Sequence, residues 1–260
     1  MKSDGDPQSN TERIIQFFNE ELAREGEQGD IGFAKFSSVY DNLIKVQQEK
    51  LRSVSAGGFD DLYRSGTIVC IGVAYSDPII DCIDVDEEDI KFDIWNKYAL
   101  EYDRLNQILN RIAKVIAEEF DGIPLPATLG GVIGEINHVH DYFALVVSHR
   151  SVAEQAGIGW RGKNQLLIHK RYSCAIRFAS IIIPAPTKFG SVKDSQCGEC
   201  RACEDACSFI RNREILPDYR ENCRRYILSL MKKGIKYDIC GKCIKACYRR
   251  SLLKDEFDLS

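Results

Sequence analysis

The chain has 260 residues, of which 44% are hydrophobic and 28% are charged, and its formal net charge at pH 7 is −4. This balance excludes a mostly disordered chain, and the acidic net charge argues against a nucleic-acid binder that depends on its overall charge. No apolar run approaches the roughly 18 residues of a membrane span, and the polar, acidic N-terminal residues do not resemble a signal peptide. We therefore expect a globular cytoplasmic protein with no membrane partner.

The first half of the chain alternates predicted helices and strands. Apolar residues at helical spacing predict a helix over 11–24, and a short strand over 31–36 follows it. The continuous apolar run 67–75 predicts a buried strand. An acidic loop is expected over 81–93, and a long amphipathic helix over 94–120.

The same alternation continues toward the middle of the chain. Strands are predicted over 143–147, 166–168 and 179–183, and Ser148 is expected to cap a helix that runs to Ala156. Strands that alternate with helices in this way are typical of an α/β domain.

A change in composition divides the chain into two predicted domains. Residues 184–195 have the composition of a linker, so we expect an α/β domain over residues 1–190 and a second domain over residues 191–260. The formal net charge is −8 before Cys197 and +4 from Cys197 onward. The second segment is too short and too rich in cysteine to build an apolar core of its own, which indicates that an inorganic group helps to hold it together.

Eight of the 11 cysteines lie in this second segment. Cys197, Cys200, Cys203 and Cys207 are separated by two, two and three residues, the spacing of bacterial ferredoxins, in which the fourth cysteine binds the other of two clusters. Zinc is the alternative, but zinc sites usually take their four ligands as two separated pairs. The spacing therefore favours an iron–sulfur cluster.

A second run, formed by Cys240, Cys243 and Cys247, has one cysteine fewer than the first. Cys223, which lies between the two runs, can supply the missing ligand. Eight thiolates then divide into the ligands of two 4Fe-4S clusters. The first predicted set consists of Cys197, Cys200, Cys203 and Cys247. The second predicted set consists of Cys207, Cys223, Cys240 and Cys243. The remaining cysteines, Cys70, Cys82 and Cys174, lack metal-binding spacing, and we interpret them as ordinary core residues.

The cysteine pattern with Cys223 resembles that of the epoxyqueuosine reductase family and of its relatives, the corrinoid-dependent reductive dehalogenases. A second motif agrees, because the segment 156–168, AGIGWRGKNQLLI, is similar to the AGLGWxGKN segment of that family. The resemblance implies a corrinoid-binding-like α/β domain followed by a dicluster ferredoxin-like domain. It also implies cobalamin as a cofactor, a low-potential electron donor of the ferredoxin or flavodoxin type as a partner, and an epoxide on a tRNA nucleoside as the substrate.

The glycine-rich segment supplies most of the predicted cofactor-binding residues. Its glycines would let the backbone approach a flat ligand, while its tryptophan offers a ring face and its polar side chains offer hydrogen bonds. A structural turn around a buried tryptophan is the alternative interpretation. Arg150, which lies upstream of this segment, could bind an anionic group. The predicted cofactor-binding residues are therefore Arg150, Gly159, Trp160, Gly162, Lys163 and Asn164.

The chain departs from the family at the expected proton donor. An ungapped count places Phe143 where the family has an aspartate, and the nearest acid is Asp141. His149 titrates near neutrality and lies in the same region, so His149 and Asp141 are the two candidate catalytic residues. His138, His140 and His169 are interpreted as surface or structural residues.

Two further points concern the chain as a whole. Only ten residues follow Arg250, so relative to the family we expect a short form without the C-terminal helical-repeat region that helps to bind tRNA. A non-enzymatic protein that delivers low-potential electrons to a partner, such as a corrinoid protein, is the alternative to an oxidoreductase.

Overall fold

The computed structural model of the chain describes residues 6–55, 57–84, 90–127 and 136–257, the last six of these by their backbone alone. Part of the predicted acidic loop, residues 85–89, lies outside these ranges. The strands are β1 Gly29–Lys35, β2 Thr67–Ala74, β3 Ile123–Leu125, β4 Gly159–Arg161, β5 Leu167–His169 and β6 Ile176–Ile183. The helices are α1 Pro7–Glu25, α2 Phe36–Asn42, α3 Lys45–Val54, α4 Phe59–Ser65, α5 Asp77–Asp81, α6 Phe92–Glu119, α7 Val139–Leu145, α8 His149–Gln155, α9 Ala202–Asp205, α10 Ser208–Arg211, α11 Tyr219–Lys233 and α12 Lys242–Phe257.

The main sheet has the strand order β1-β2-β6-β3, and each pair of neighbouring strands is antiparallel. Every residue of β2 is buried, as expected of a continuous apolar run at the centre of a sheet. The mixed helix-and-strand class predicted from the sequence is thus confirmed.

Helices cover both faces of this sheet. Val69 and Ile71 of β2 pack in one core with residues of α1 and α6, whereas Ile68 and Cys70 pack in a second core with residues of α2 and α8. The alternation follows from the two-residue period of a strand. Cys70 is fully buried in this second core, so its interpretation as a core residue is confirmed.

A two-stranded hairpin of β4 and β5 lies outside the main sheet. Gly159 pairs with His169, and Trp160 pairs with Ile168. A Cβ atom on Gly159 would lie only 2.1 Å from the carbonyl oxygen of Ile168, closer than any non-bonded contact between these atoms. The hairpin therefore requires glycine at this position.

The strand predicted over 143–147 is wrong, because helix α7 occupies most of this segment. The carboxylate of Asp141 accepts hydrogen bonds from the backbone N–H groups of Asn137 and His138, at 3.1 and 2.9 Å. Glu221 of α11 accepts another from Val139 N–H at 2.9 Å. These carboxylates satisfy backbone N–H groups at the start of α7 that have no partner within the helix. One of the two carboxylates, that of Glu221, comes from a distant part of the chain.

The cysteine-rich segment packs directly against α6. Leu230, Ile235 and Ile239 belong to the same core as the buried face of that helix, and Trp95 Nε1 of α6 donates a hydrogen bond to the Cys240 carbonyl at 2.9 Å. This segment therefore shares an apolar core with the rest of the chain, which its composition did not predict. The domain boundary at residue 190 stays a prediction. No described helix is both long enough and apolar enough to cross a membrane.

Candidate cluster sites and the adjoining cavity

The first predicted set of thiols converges around helix α9. Cys203 on this helix interacts electrostatically with Cys247, Cys197 and Cys200, and burial together with these neighbours raises the pKa of its thiol to about 11. Cys247 reaches the group from α12, which packs against α9. The long sequence separation between Cys203 and Cys247 is therefore closed by helix packing.

The second predicted set gathers on the adjacent side of α12. Cys223 on α11 interacts with Cys240 and Cys207, and burial followed by these two neighbours raises the pKa of its thiol to about 12. Cys243 on α12 interacts with Cys240, Cys223 and Cys207, and also with Cys203 of the first set. The eight cysteines therefore lie close together, and their division into two sets of four stays a prediction.

The spread of the thiols can be compared with what zinc and a cluster require. A tetrahedral zinc ion with Zn–S bonds of about 2.3 Å holds its sulfur ligands about 3.8 Å apart. Among the residues that the structure describes, no three cysteine sulfurs lie within 4.8 Å of one another. A cubane places its four thiolates on separate iron atoms, so it accepts ligands that lie farther apart than those of one zinc ion. The residues thus fit 4Fe-4S clusters.

The hairpin joins the first set of thiols through side chains that the sequence assigned to cofactor binding. Lys163 Nζ donates a hydrogen bond to the Cys200 carbonyl at 2.9 Å. Asn164 is buried, and its Nδ2 donates to the Cys174 sulfur at 3.6 Å. Cys174 in turn interacts with Cys247. Its interpretation as an ordinary core residue is therefore incomplete, because it is buried next to a predicted cluster ligand.

A cavity of about 450 Å³ lies beside this hairpin. Its wall combines α7 and α8, the β4–β5 hairpin, β6 and the first turns of α11 and α12. The lining includes the aromatic residues Tyr142, Phe143 and Phe178 and the basic residues Arg150, Arg161, Arg177 and Arg220. Cys174 and Ile244 also line it, and Cys174 interacts with the predicted ligands Cys247 and Cys243.

Sequence reasoning found only part of this cavity. Among the six predicted cofactor-binding residues, all of them described, Arg150 alone lines it. Gly159 and Gly162 are explained by the hairpin, since a Cβ on Gly162 would lie 2.7 Å from the Ile168 side chain. Trp160 is half-buried, and its buried Nε1 has no hydrogen-bond partner among the described residues. No spacing rule could have identified Arg177 or Arg220, because they lie far apart in the chain.

The two candidate catalytic residues occupy different surroundings. His149 lines the cavity, with Nε2 2.7 Å from the Pro126 carbonyl and Nδ1 2.9 Å from Ser180 Oγ. A carbonyl can only accept, so Nε2 carries the hydrogen and Nδ1 accepts from the serine. Burial lowers the pKa of His149 to about 4, which leaves its ring neutral at pH 7. Asp141 is exposed and caps α7.

The remaining histidines have structural roles. His169 is buried, and its Nε2 lies 2.9 Å from Asp30 Oδ2. Within the described ranges, His138, His140 and Asp218 are the one group whose ligand atoms lie close enough for a single ion. However, His138 Nδ1 accepts the His140 N–H at 3.3 Å, and Nε2 lies 2.7 Å from Asp218. The hydrogen therefore sits on Nε2, where an ion would bind, and the group acts as a link between α7 and α11.

A buried ion pair fixes α7, one wall of the cavity, to the cluster segment. Glu221 is 5% exposed and binds both the Val139 N–H and the Arg224 guanidinium. Arg224 also donates to the carbonyls of Ile136 and Asn137. Hydrogen bonds from Arg224, with further contributions from Val139 and Arg225, lower the pKa of Glu221 to about 2.

We expect Glu221→Gln to lower the free energy of unfolding by about 3 kcal/mol, because it leaves Arg224 without its buried partner. The depressed carboxyl pKa means that this stabilisation is complete above the usual value of about 4.3. It is lost as the pH falls toward 2. Urea unfolding between pH 3 and 7 checks both points. Glu214→Gln, at an 84% exposed side chain, is the control, and equal losses in the two variants would contradict the prediction.

No family model matches the chain. Several curated proteins do match it, and three of them, each named epoxyqueuosine reductase, show the extent of the similarity. The protein of Cyclobacterium marinum is 33% identical over 114 residues, which are 42% of this chain and 36% of that protein. The protein of Pseudomonas aeruginosa is 33% identical over 91 residues, 34% of this chain and 24% of that protein. The protein of Listeria monocytogenes is 41% identical over 61 residues, 24% of this chain and 16% of that protein.

The chain resembles the epoxyqueuosine reductases. The resemblance inferred from the motifs is thereby confirmed, although the matches cover only 16% to 36% of the length of these relatives. Among solved structures, the epoxyqueuosine reductase of Streptococcus thermophilus has a TM-score of 0.48 and 22% identity, covering 91% of this chain and 66% of that one. An epoxyqueuosine reductase bound to an epoxyqueuosine-modified tRNA-Tyr stem loop has a TM-score of 0.44 and 20% identity, covering 76% and 52%.

Proposed function

We propose that the protein is a cytoplasmic iron–sulfur oxidoreductase of the epoxyqueuosine-reductase type. Two 4Fe-4S clusters pass electrons from a low-potential ferredoxin- or flavodoxin-like donor to a reaction centre in the cavity beside the hairpin. The substrate is epoxyqueuosine in tRNA or a related compound. The observation that carries the proposal is the position of the cavity beside the predicted cluster ligands, because Cys174, which lines the cavity, interacts with Cys247 and Cys243.

The contact between hairpin, thiols and cavity supports an enzyme over a simple electron carrier. Cys174 lines the cavity and interacts with Cys247 of the first set, while Lys163 binds the loop that carries Cys200. A reductive site requires a redox centre close to its substrate. An electron carrier has no need of a cavity at this position.

Cobalamin is part of the proposal, and the cavity fits it in part. Arg150 Nε and Arg161 Nε are buried without a hydrogen-bond partner among the described residues, and such donors match the acceptor oxygens at the periphery of a cobalamin, which include carboxamide and phosphate oxygens. A volume of about 450 Å³ encloses only one edge of so large a macrocycle, so the rest would extend through the open mouth. When bound, the corrinoid supplies cobalt-based reduction, and Arg150 and Arg161 would hold its periphery.

Anaerobic purification followed by iron, cobalt and corrinoid analysis tests this function. We expect roughly eight irons per chain, from four irons in each of two clusters, and uptake of added cobalamin. Reduced protein should then reduce epoxyqueuosine in a tRNA stem loop. Stoichiometric zinc with little iron would contradict the cluster assignment. Full clusters without any corrinoid binding or turnover would favour the electron-carrier alternative.

We propose His149 as the proton donor: its Nε2–H would leave the Pro126 carbonyl to protonate the substrate, while the Ser180 hydroxyl would pass its hydrogen to Nδ1, so that the ring stays neutral. His149→Ala should slow substrate reduction by about 100-fold or more while the iron content stays unchanged. Because the pKa of His149 is about 4, its titration should add no inflection to the rate between pH 6 and 8.

Asp141→Ala should lower the free energy of unfolding by about 1 kcal/mol, because it removes a helix cap, and should change turnover little. Unchanged turnover in the His149 variant with a large loss in the Asp141 variant would reassign the role.

A further inference from the structure

The cavity wall carries an excess of positive charge. Arg150, Arg161 and Arg220 line it together. Arg161 forms an ion pair with Glu154, but within the described ranges Arg150 and Arg220 have no carboxylate partner within 4 Å. Guanidinium groups stay charged at neutral pH, and charges removed from water are costly unless an opposite charge accompanies them.

The arginines are held in place with donors unused. Arg150 Nη1 donates to the Gln165 carbonyl, and Arg161 Nη2 donates to Glu154. In both residues the buried Nε has no hydrogen-bond partner among the described residues. Arg220 Nε contacts the Tyr219 hydroxyl at 3.2 Å, and its guanidinium lies 5.7 Å from the centre of the Phe143 ring. Burial, followed by the charges of Arg161 and Arg220, lowers the pKa of Arg150 to about 10.

We propose that Arg150, Arg161 and Arg220 form a phosphate clamp, which binds the phosphate ester of a nucleotide ligand in this cavity. A guanidinium presents paired N–H donors in a plane that matches phosphate oxygens, and a phosphate supplies the missing negative charge. Tyr142 and Phe143 line the same cavity and offer aromatic faces for a base. The volume of about 450 Å³ lies within the range of small-ligand sites.

This inference deepens the proposed function and rests on it only in placing the reaction at this cavity. The phosphate ester has two possible sources. One is the nucleotide substrate itself, and the other is the nucleotide tail of a bound cobalamin. Both contain the same chemical group, so the clamp residues are the same for each, and the ligands used in the experiment must separate them.

Calorimetric titration of the purified full chain tests the clamp with guanosine 5′-monophosphate and with guanosine. We expect the monophosphate to bind about 10- to 100-fold more tightly, the value of a charge-assisted hydrogen bond, and added salt to weaken this preference. Arg220→Gln should remove most of the preference. Lys233→Gln removes the same charge from an exposed position on the same helix and should leave it unchanged.

A parallel titration with cobalamin and with cobinamide, which lacks the nucleotide tail, identifies the source. If Arg220→Gln weakens cobalamin about 10-fold and leaves cobinamide unchanged, the clamp binds the cofactor's tail. Equal binding of guanosine and its monophosphate, together with equal binding of cobalamin in wild type and Arg220→Gln, overturns the clamp. Iron content is measured on the same samples. A protein that has full clusters but no preference for the phosphate refutes the clamp and leaves the proposed function standing.

Discussion

Cys223→Ser is expected to remove about half of the iron, from roughly eight to roughly four atoms per chain, and to abolish substrate reduction. Cys223 lies on α11, at the centre of the second thiol set, with Cys240 and Cys207 as its neighbours. A serine oxygen is a harder ligand than a thiolate and holds iron–sulfur clusters less well. The first set shares no ligand with the second, so its cluster should remain.

Iron analysis and electron paramagnetic resonance of the reduced protein measure this outcome. One cluster signal should disappear while the other keeps its intensity. Cys82→Ser is the matched control, because Cys82 is a half-buried cysteine outside both sets whose sulfur contacts the Pro78 carbonyl. Equal loss of both clusters in a folded Cys223 variant would contradict the division into two sets, and unchanged iron would exclude Cys223 as a ligand.

Gly159→Ala is expected to destabilise the protein by about 3 kcal/mol, near the upper end of the cost of overpacking. The new Cβ would lie 2.1 Å from the Ile168 carbonyl oxygen, and the obstacle is backbone, which cannot turn away as a flexible side chain can. The hairpin would have to separate. Because Lys163 of the same hairpin binds the Cys200 carbonyl, the first cluster should also become more labile.

Thermal and urea unfolding, with iron content followed over time, check this expectation. Gly57→Ala is the control, because a Cβ on Gly57 meets no atom within 4 Å. The sequence interpretation made Gly159 a position of close approach to a corrinoid. A Gly159→Ala protein of wild-type stability that binds cobalamin poorly would restore that interpretation in place of the hairpin role.

Local signals in the sequence were sufficient for several elements. Helix α1 contains the predicted helix over 11–24 and ends at Gly26, which adopts a left-handed φ of 70°, although it begins four residues earlier than predicted, at Pro7 after the capping Asp6. The buried strand over 67–75 and the long helix over 94–120 correspond to β2 and α6. Ser148 caps α8 as expected, accepting a hydrogen bond from Ser151 N–H at 3.2 Å. In each case the information lies within a few neighbouring residues.

Elements that depend on distant partners escaped prediction. Residues 143–147 have the apolar composition of a strand, but Glu221, far along the chain, binds the start of the segment and stabilises α7. Helices α2, α3 and α4 are short, and short helices owe most of their stability to packing against the sheet instead of to their own sequence. The all-antiparallel sheet was likewise fixed by strand pairing across long separations.

The sequence by itself predicted the two sets of four cysteines, since the spacing of thiols along a chain limits which of them can share a cubane. Only the tertiary structure decided where chemistry can occur. It placed Gly159, Lys163 and Asn164 in a hairpin that supports the first set, and it brought Arg150 and Arg220 together around one cavity. The physical reason is the distance along the chain between the residues involved. Within each cysteine run the predicted ligands follow a local spacing, whereas a cavity is formed by side chains that meet only when helices and strands pack.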